Sequence, residues 1–144
     1  MILVNHVKNG VELAEKYHLP PPVKDIIQQH HGTSTIRYFW NKAQQQKLPL
    51  QNGDFRYPGP KPQTREALIV MLADVIESAS RSLNERNIGK IEHMVHHLVK
   101  SVLLDGQMDE VAIFVSELKI LEKSFISTLT GIKHRRIEYP QEKS

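Results

Sequence analysis

"TREALIVMLADVIESASRSL", residues 64–83, decides the fold. Leu68, Leu72, Val75, Ile76 and Leu83 recur at three- and four-residue spacing, the period of a helix with one buried side. Thr64 precedes the run, where a hydroxyl can accept from the first free amides, so it is the expected N-cap. Asp74 interrupts the apolar stretch. A buried, unpartnered carboxylate costs on the order of several kcal/mol or stays protonated. Asp74 therefore calls for a cation, a metal or a donor network, and a plain helix–helix hydrogen bond would serve as well.

Working outward, residues 2–17 read as a helix with Ile2, Leu3, His6, Val7, Leu13, Ala14 and Tyr17 along one face. "LPPP" at 19–22 ends it, and a proline opens a short helix, "PVKDIIQQHH" (22–31), with Gly32 as its C-cap. "TSTIRYFWNKAQQQK" (33–47) restarts a helix, capped by Thr33 or Ser34, with an aromatic patch at Tyr38, Phe39 and Trp40. Residues 48–62 are rich in Pro and Gly and form a loop of a length that is usually functional or disordered. Another helix spans Ile88 to Leu104, stopped by Asp105 and Gly106. "MDEVAIFV" (108–115) stays open between a turn, a short strand and a buried connection. A last helix from Ser116 to about Lys133 precedes an extended polar tail, 134–144. The expectation is an all-α helical bundle in one domain spanning 1–144.

Composition narrows the function. The 144 residues carry a net charge of +3 spread along the chain, without the basic stripe that DNA or RNA binding uses. Cysteine is absent, so disulfides and thiolate sites are excluded, and any metal must sit on imidazole and carboxylate. No apolar run reaches the roughly 18 residues of a membrane helix, and the opening residues do not form a signal peptide. The chain reads as soluble and cytoplasmic.

Eight histidines are the unusual count. His18 lies before a proline turn and His134 in the tail, and both read as solvated. His93 and His97 share a helix face, but "HMVHH" lacks the glutamate of a metalloprotease motif, so an exposed face is the plain reading. His30 and His31 precede a glycine, where the chain can leave helical geometry and let adjacent rings converge. They become a metal site only if a third ligand comes from the helix before and a carboxylate from the helix after. His6 and Asp74 occupy those places.

At these residues the chain resembles a known family. "HVKNGVELAEKYHLP" (6–20), "IIQQHHGTS" (26–34), "DFRYPGPKPQTREALIVMLADVIESASRSL" (54–83) and "FISTLTGIKHRRIEYP" (125–140) are similar to the seven-transmembrane HD-domain phosphodiesterases. Those are bacterial membrane proteins whose cytoplasmic HD domain hydrolyses the second messenger cyclic di-AMP to pApA. The resemblance implies a site for two metals, iron or manganese, to which His6, the doublet His30 and His31, and the late Asp74 would contribute. For such a substrate, Lys61, Arg65 and Arg81, which flank the helix of Asp74, are the candidates to neutralise phosphates, with Thr64 beside them at the helix cap, and Tyr57 is a ring for stacking on an adenine or equally for packing. A solvated charge or a salt bridge with Glu66 or Glu77 is the plainer reading of any single basic residue.

The chain departs from the family pattern in one respect. The family places a histidine and a His-Asp pair upstream of the position of His6, and no His-Asp dipeptide occurs here. The expectation is a partial, N-terminally truncated HD domain that holds at most one divalent metal, weakly, and has little activity by itself. The face left by missing helices would favour a homo-oligomer. The competing expectation is a non-catalytic helical interaction module that binds no metal.

Overall fold

The computed structural model describes residues 2–47, 49, 51, 55–83 and 87–135. They form six helices: α1 (Ile2–Lys16), α2 (Pro21–Gln29), α3 (Arg37–Gln45), α4 (Arg65–Arg81), α5 (Ile88–Leu104) and α6 (Val115–Arg135). No strand occurs among the described residues, apart from an isolated antiparallel bridge between Thr35 and Arg56. The all-α expectation is met. None of these helices is long and apolar enough to cross a membrane.

The sequence period of 64–83 sets the centre of the fold. Leu68, Leu72 and Ile76 fall one turn apart on α4 and are sealed from solvent. They pack against Ile91, Val95, Leu98, Val99 and Val102 of α5, and Leu118 with the half-buried Leu121, Phe125 and Leu129 of α6 closes the cluster. Thr64 caps α4 as expected, its Oγ1 accepting from the Ala67 amide at 3.2 Å. Thr64→Ala is expected to lower stability by about 1 kcal/mol, read as a shifted urea midpoint with an unchanged slope.

Several boundaries differ from the sequence reading, and the differences place the site. α2 ends at Gln29 with His30 as its cap, so the doublet lies in the turn after the helix and not in its last turn. Gly32 follows at φ +52°, its amide donating to the Gln29 carbonyl at 2.8 Å. Neither Thr33 nor Ser34 caps α3, which begins only at Arg37 after Ile36. Their groups are used elsewhere: the Thr33 amide donates to Gln107 Oε1 at 3.0 Å, and Ser34 Oγ donates to the His31 carbonyl at 2.8 Å. On α1, Val7 and Ala14 are buried, whereas Leu13 and Tyr17 of the expected apolar face stand in solvent. Among the described helices, this fifteen-residue helix packs on α2 and buries only a narrow stripe. The open stretch 108–115 resolves into turns followed by extended chain leading to α6. α6 runs through His134 and Arg135, past the expected start of the tail, and 136–144 lie outside the described residues.

α1 sits close on α2 because of one residue. A Cβ on Gly10 would meet Ile27 Cγ2 at 2.8 Å, nearer than real Cβ contacts come. The glycine therefore lets α1 approach, and His6, one turn earlier on α1, comes within reach of the turn after α2.

A candidate metal centre formed by three histidines

The three imidazoles predicted to meet do meet. His6 Nε2 lies 2.9 Å from His31 Nε2 and 3.4 Å from His30 Nε2, and the three residues form one cluster able to hold a metal ion. Two imidazoles that share an ion at about 2.1 Å have nitrogens about 3.0–3.4 Å apart at angles near 90–109°. The donor set thus fits a borderline divalent cation.

Each ring is presented by a different device. The His30 Nδ1 stands 2.7 Å from the Ile27 carbonyl. A carbonyl only accepts, so Nδ1 carries the proton and Nε2 keeps its lone pair. The His31 ring is stacked on Tyr57, centroids 4.3 Å apart and 19° between planes. Burial, followed by its neighbours His30 and His6, lowers the His31 pKa from 6.5 to about 4. His31 is therefore a neutral imidazole near pH 7. Tyr57 is held in turn by its amide, which donates to the Ser34 carbonyl at 3.0 Å. Burial raises the Tyr57 pKa, with the Asp74 charge adding to it, so the phenol stays protonated.

Asp74 is placed differently from the sequence argument. Its side chain is 47% exposed, so its carboxylate needs no partner to survive burial. The α4 face that carries it opens onto a cavity and not onto the core. Asp74 Oδ2 stands 3.6 Å from His31 Nδ1, on the side of the ring away from His6. That is beyond hydrogen-bond length but close enough to favour a proton on Nδ1 and leave Nε2 for a ligand. Asp74→Asn is expected to weaken manganese binding by roughly tenfold, measured by calorimetric titration, and an unchanged affinity would contradict this placement.

The basic candidates are engaged away from the histidines. Lys61 pairs with Asp109 at 3.1 Å. Arg65 pairs with Glu117 at 3.0 Å and donates to the Ala112 carbonyl at 2.9 Å. Arg81 pairs with Glu77 at 2.8 Å on an exposed helix face. None of these, nor Thr64, lines the cavity beside the histidines. His93 and His97 lie parallel on the exposed face of α5, centroids 6.4 Å apart.

That cavity, of about 800 Å³, runs from His30, His31, Tyr57 and Asp74 to Trp40 and Asn41 of α3, to Ser78 of α4 and to Ser82, which caps α4 at its C-terminal end. Sequence reasoning passed over Asn41, Ser78 and Ser82. The signal was there in Asp74, Ser78 and Ser82, which recur every four residues beside the buried stripe of α4.

Comparison with known proteins places the chain in context. The HD domain family pattern matches residues 1–79. The chain is 42% identical over 142 residues to the cyclic-di-AMP phosphodiesterase PgpH of Listeria monocytogenes, and 40% identical over 140 residues to that of Bacillus subtilis. These alignments cover 99% and 97% of the chain but 20% of each relative, so the chain spans about a fifth of their length. The crystal structure of the L. monocytogenes PgpH HD domain superposes with a TM-score of 0.84 at 41% identity, covering 92% of this chain and 62% of that one. The same domain in complex with cyclic-di-AMP superposes with a TM-score of 0.85 at 40% identity, covering 91% of this chain and 61% of that one.

Proposed function

The chain belongs to the HD-domain family, and from that premise we propose that it supplies part of the active site of a metal-dependent phosphodiesterase that opens cyclic di-AMP to pApA. The observation that carries the reading is the convergence of His6, His30 and His31 on one point. Relatives at 40–42% identity bear the activity in their names, and one solved relative binds cyclic di-AMP.

His6, His30 and His31 would hold a divalent cation, iron or manganese, through their Nε2 atoms. When bound, such an ion supplies Lewis acidity toward a phosphoryl oxygen and activates water as a nucleophile. The residues of this chain do the positioning. The Ile27 carbonyl orients the His30 ring, and Tyr57 and Asp74 fix the plane and tautomer of His31. The cavity beside them receives the dinucleotide. Asp74, at the cavity wall, is the carboxylate we assign to a second ion in the complete domain.

No His-Asp dipeptide occurs in the 144 residues, so this chain holds one ion and turns over slowly by itself. The experiment is cyclic di-AMP hydrolysis with manganese, by the chain alone and by a longer chain carrying a His-Asp pair upstream. Turnover only in the longer chain supports the reading. Equal rates overturn the assignment of a half-built site, and no hydrolysis by either overturns the function. We place the whole protein in a bacterial membrane with this domain on the cytoplasmic side. Ile69 and Val70 of α4 and Leu103 and Leu104 of α5 are exposed apolar residues and favour self-association. Sedimentation of the chain is expected to show a dimer, and a clean monomer at high concentration would contradict it.

A further inference from the structure

The histidine doublet is fixed from a distance. Thr33 closes the turn that carries it, and each polar group of Thr33 has a partner from far along the chain. Its amide donates to Gln107 Oε1 at 3.0 Å, and its hydroxyl accepts from Gln107 Nε2 at 3.1 Å. Its carbonyl accepts from Arg56 Nη1 at 2.8 Å. Asp105 then closes the circuit. Its Oδ1 accepts from Arg56 Nη2 at 2.7 Å, and its Oδ2 accepts from Arg56 Nη1 at 3.3 Å and from Gln107 Nε2 at 2.8 Å.

The circuit is suited to holding geometry more than to adding stability. The Arg56 and Asp105 side chains are 36% and 29% exposed, and a partly exposed ion pair contributes little by itself. A guanidinium set against both carboxylate oxygens nevertheless fixes direction as well as distance. Gln107 is buried, and both polar atoms of its side chain are bonded. A buried polar network satisfied in this way is rigid. Asp105 and Gln107 reach the cavity wall, but their side-chain polar atoms are engaged within the circuit.

Arg56 also acts from a second side. The Ile36 amide donates to the Phe55 carbonyl at 2.7 Å and the Tyr57 amide to the Ser34 carbonyl at 3.0 Å, on either side of the bridge between Thr35 and Arg56. The ring stacked on His31 thus belongs to the same short ribbon whose middle side chain holds Thr33.

We propose that Arg56 and Asp105 are positioning residues for the metal centre: through Thr33 and Gln107 they fix the turn that aims His30 and His31 at His6. This role rests on the metal reading above and adds two residues from outside the donor set. Shared ligation depends on nitrogen spacings of 2.9 and 3.4 Å to His6, which a displaced turn would change.

The test titrates cobalt, whose visible absorption reports the geometry of its ligands, into the full chain and its variants, with calorimetry on the same samples. Arg56→Ala is expected to weaken cobalt binding by roughly tenfold and to shift the absorption bands. Arg56→Lys keeps the charge without the fork and is expected to restore only part of the affinity. Asp105→Ala, alone or combined with Arg56→Ala, is expected to lose about as much as Arg56→Ala, because members of one network do not add. Ile91→Val is the control, a destabilising change at a buried residue that does not line the cavity. It is expected to leave affinity and bands unchanged. Urea denaturation shows which variants are folded. Unchanged affinity and bands in Arg56→Ala, or additive losses in the double variant, overturn the positioning role and leave the metal reading standing. An equal change in Ile91→Val also overturns it, since loss of stability would then account for the effect. Failure of the unsubstituted chain to bind cobalt overturns the metal reading and the positioning role together.

Discussion

His31→Ala is expected to reduce manganese affinity by on the order of 100-fold or more, and to leave protein purified without a histidine tag free of metal. The size follows from the position of the ring. His31 shares the shortest nitrogen contact of the cluster, 2.9 Å to His6, and alone of the three is stacked on Tyr57 and faces Asp74. Alanine removes a ligand and also leaves Tyr57 without its stacking partner. His93→Ala is the control, because it removes an imidazole from an exposed helix face distant in sequence from the cluster. If His93→Ala lost as much metal as His31→Ala, the ion would not sit on the three histidines. Circular dichroism on both variants separates lost ligation from lost folding.

Gly32→Ala carries the second large effect, on stability. The glycine sits at φ +52°, in the left-handed region where a Cβ costs about 1–2 kcal/mol. Space adds to the strain. A Cβ there would lie 2.4 Å from Gln107 Oε1 and 2.8 Å from Met71 Cε. Gln107 is buried and cannot step aside cheaply, since Oε1 accepts from the Thr33 amide and Nε2 donates to Thr33 Oγ1 and Asp105. Crowding a packed interior adds about 1–3 kcal/mol, so the expected total is about 2–5 kcal/mol, read by chemical denaturation. The loss should appear with metal absent as well as present. A variant that loses metal affinity but keeps its metal-free stability would show that Gly32 serves only to aim the doublet.

These two residues mark how much was legible in the sequence. The stripe Leu68, Leu72, Ile76 announced α4 and its buried side because helix period and hydrophobic burial are local to the chain. The end of α5 followed from Asp105 and Gly106, and Thr64 capped α4 as its hydroxyl suggested. The cluster of His6 with His30 and His31 was reached through likeness to a family and through the glycine after the doublet. Nothing in the spacing alone required the three rings to meet. The basic residues went the other way. Lys61 and Arg65 were candidates for phosphates, yet their partners Asp109 and Glu117 lie some fifty residues further along the chain, where no local rule points. Asp74 was judged buried from its apolar neighbours, although a helix face can open onto a cavity as readily as onto a core.

By itself the sequence determined the helices, the apolar stripe that joins α4 to α5, the absence of sulfur ligands and the stock of imidazoles from which a metal site could be drawn. Those follow from periodicity and composition, which each residue carries wherever the chain goes. The tertiary structure decided that Gly10 lets α1 close on α2, that the turn ending in Gly32 points both histidines toward His6, and that α3 stands across the cavity from the serines of α4. Each depends on approach between segments distant in the chain, set by whether a Cβ fits and whether a buried polar group finds its partner.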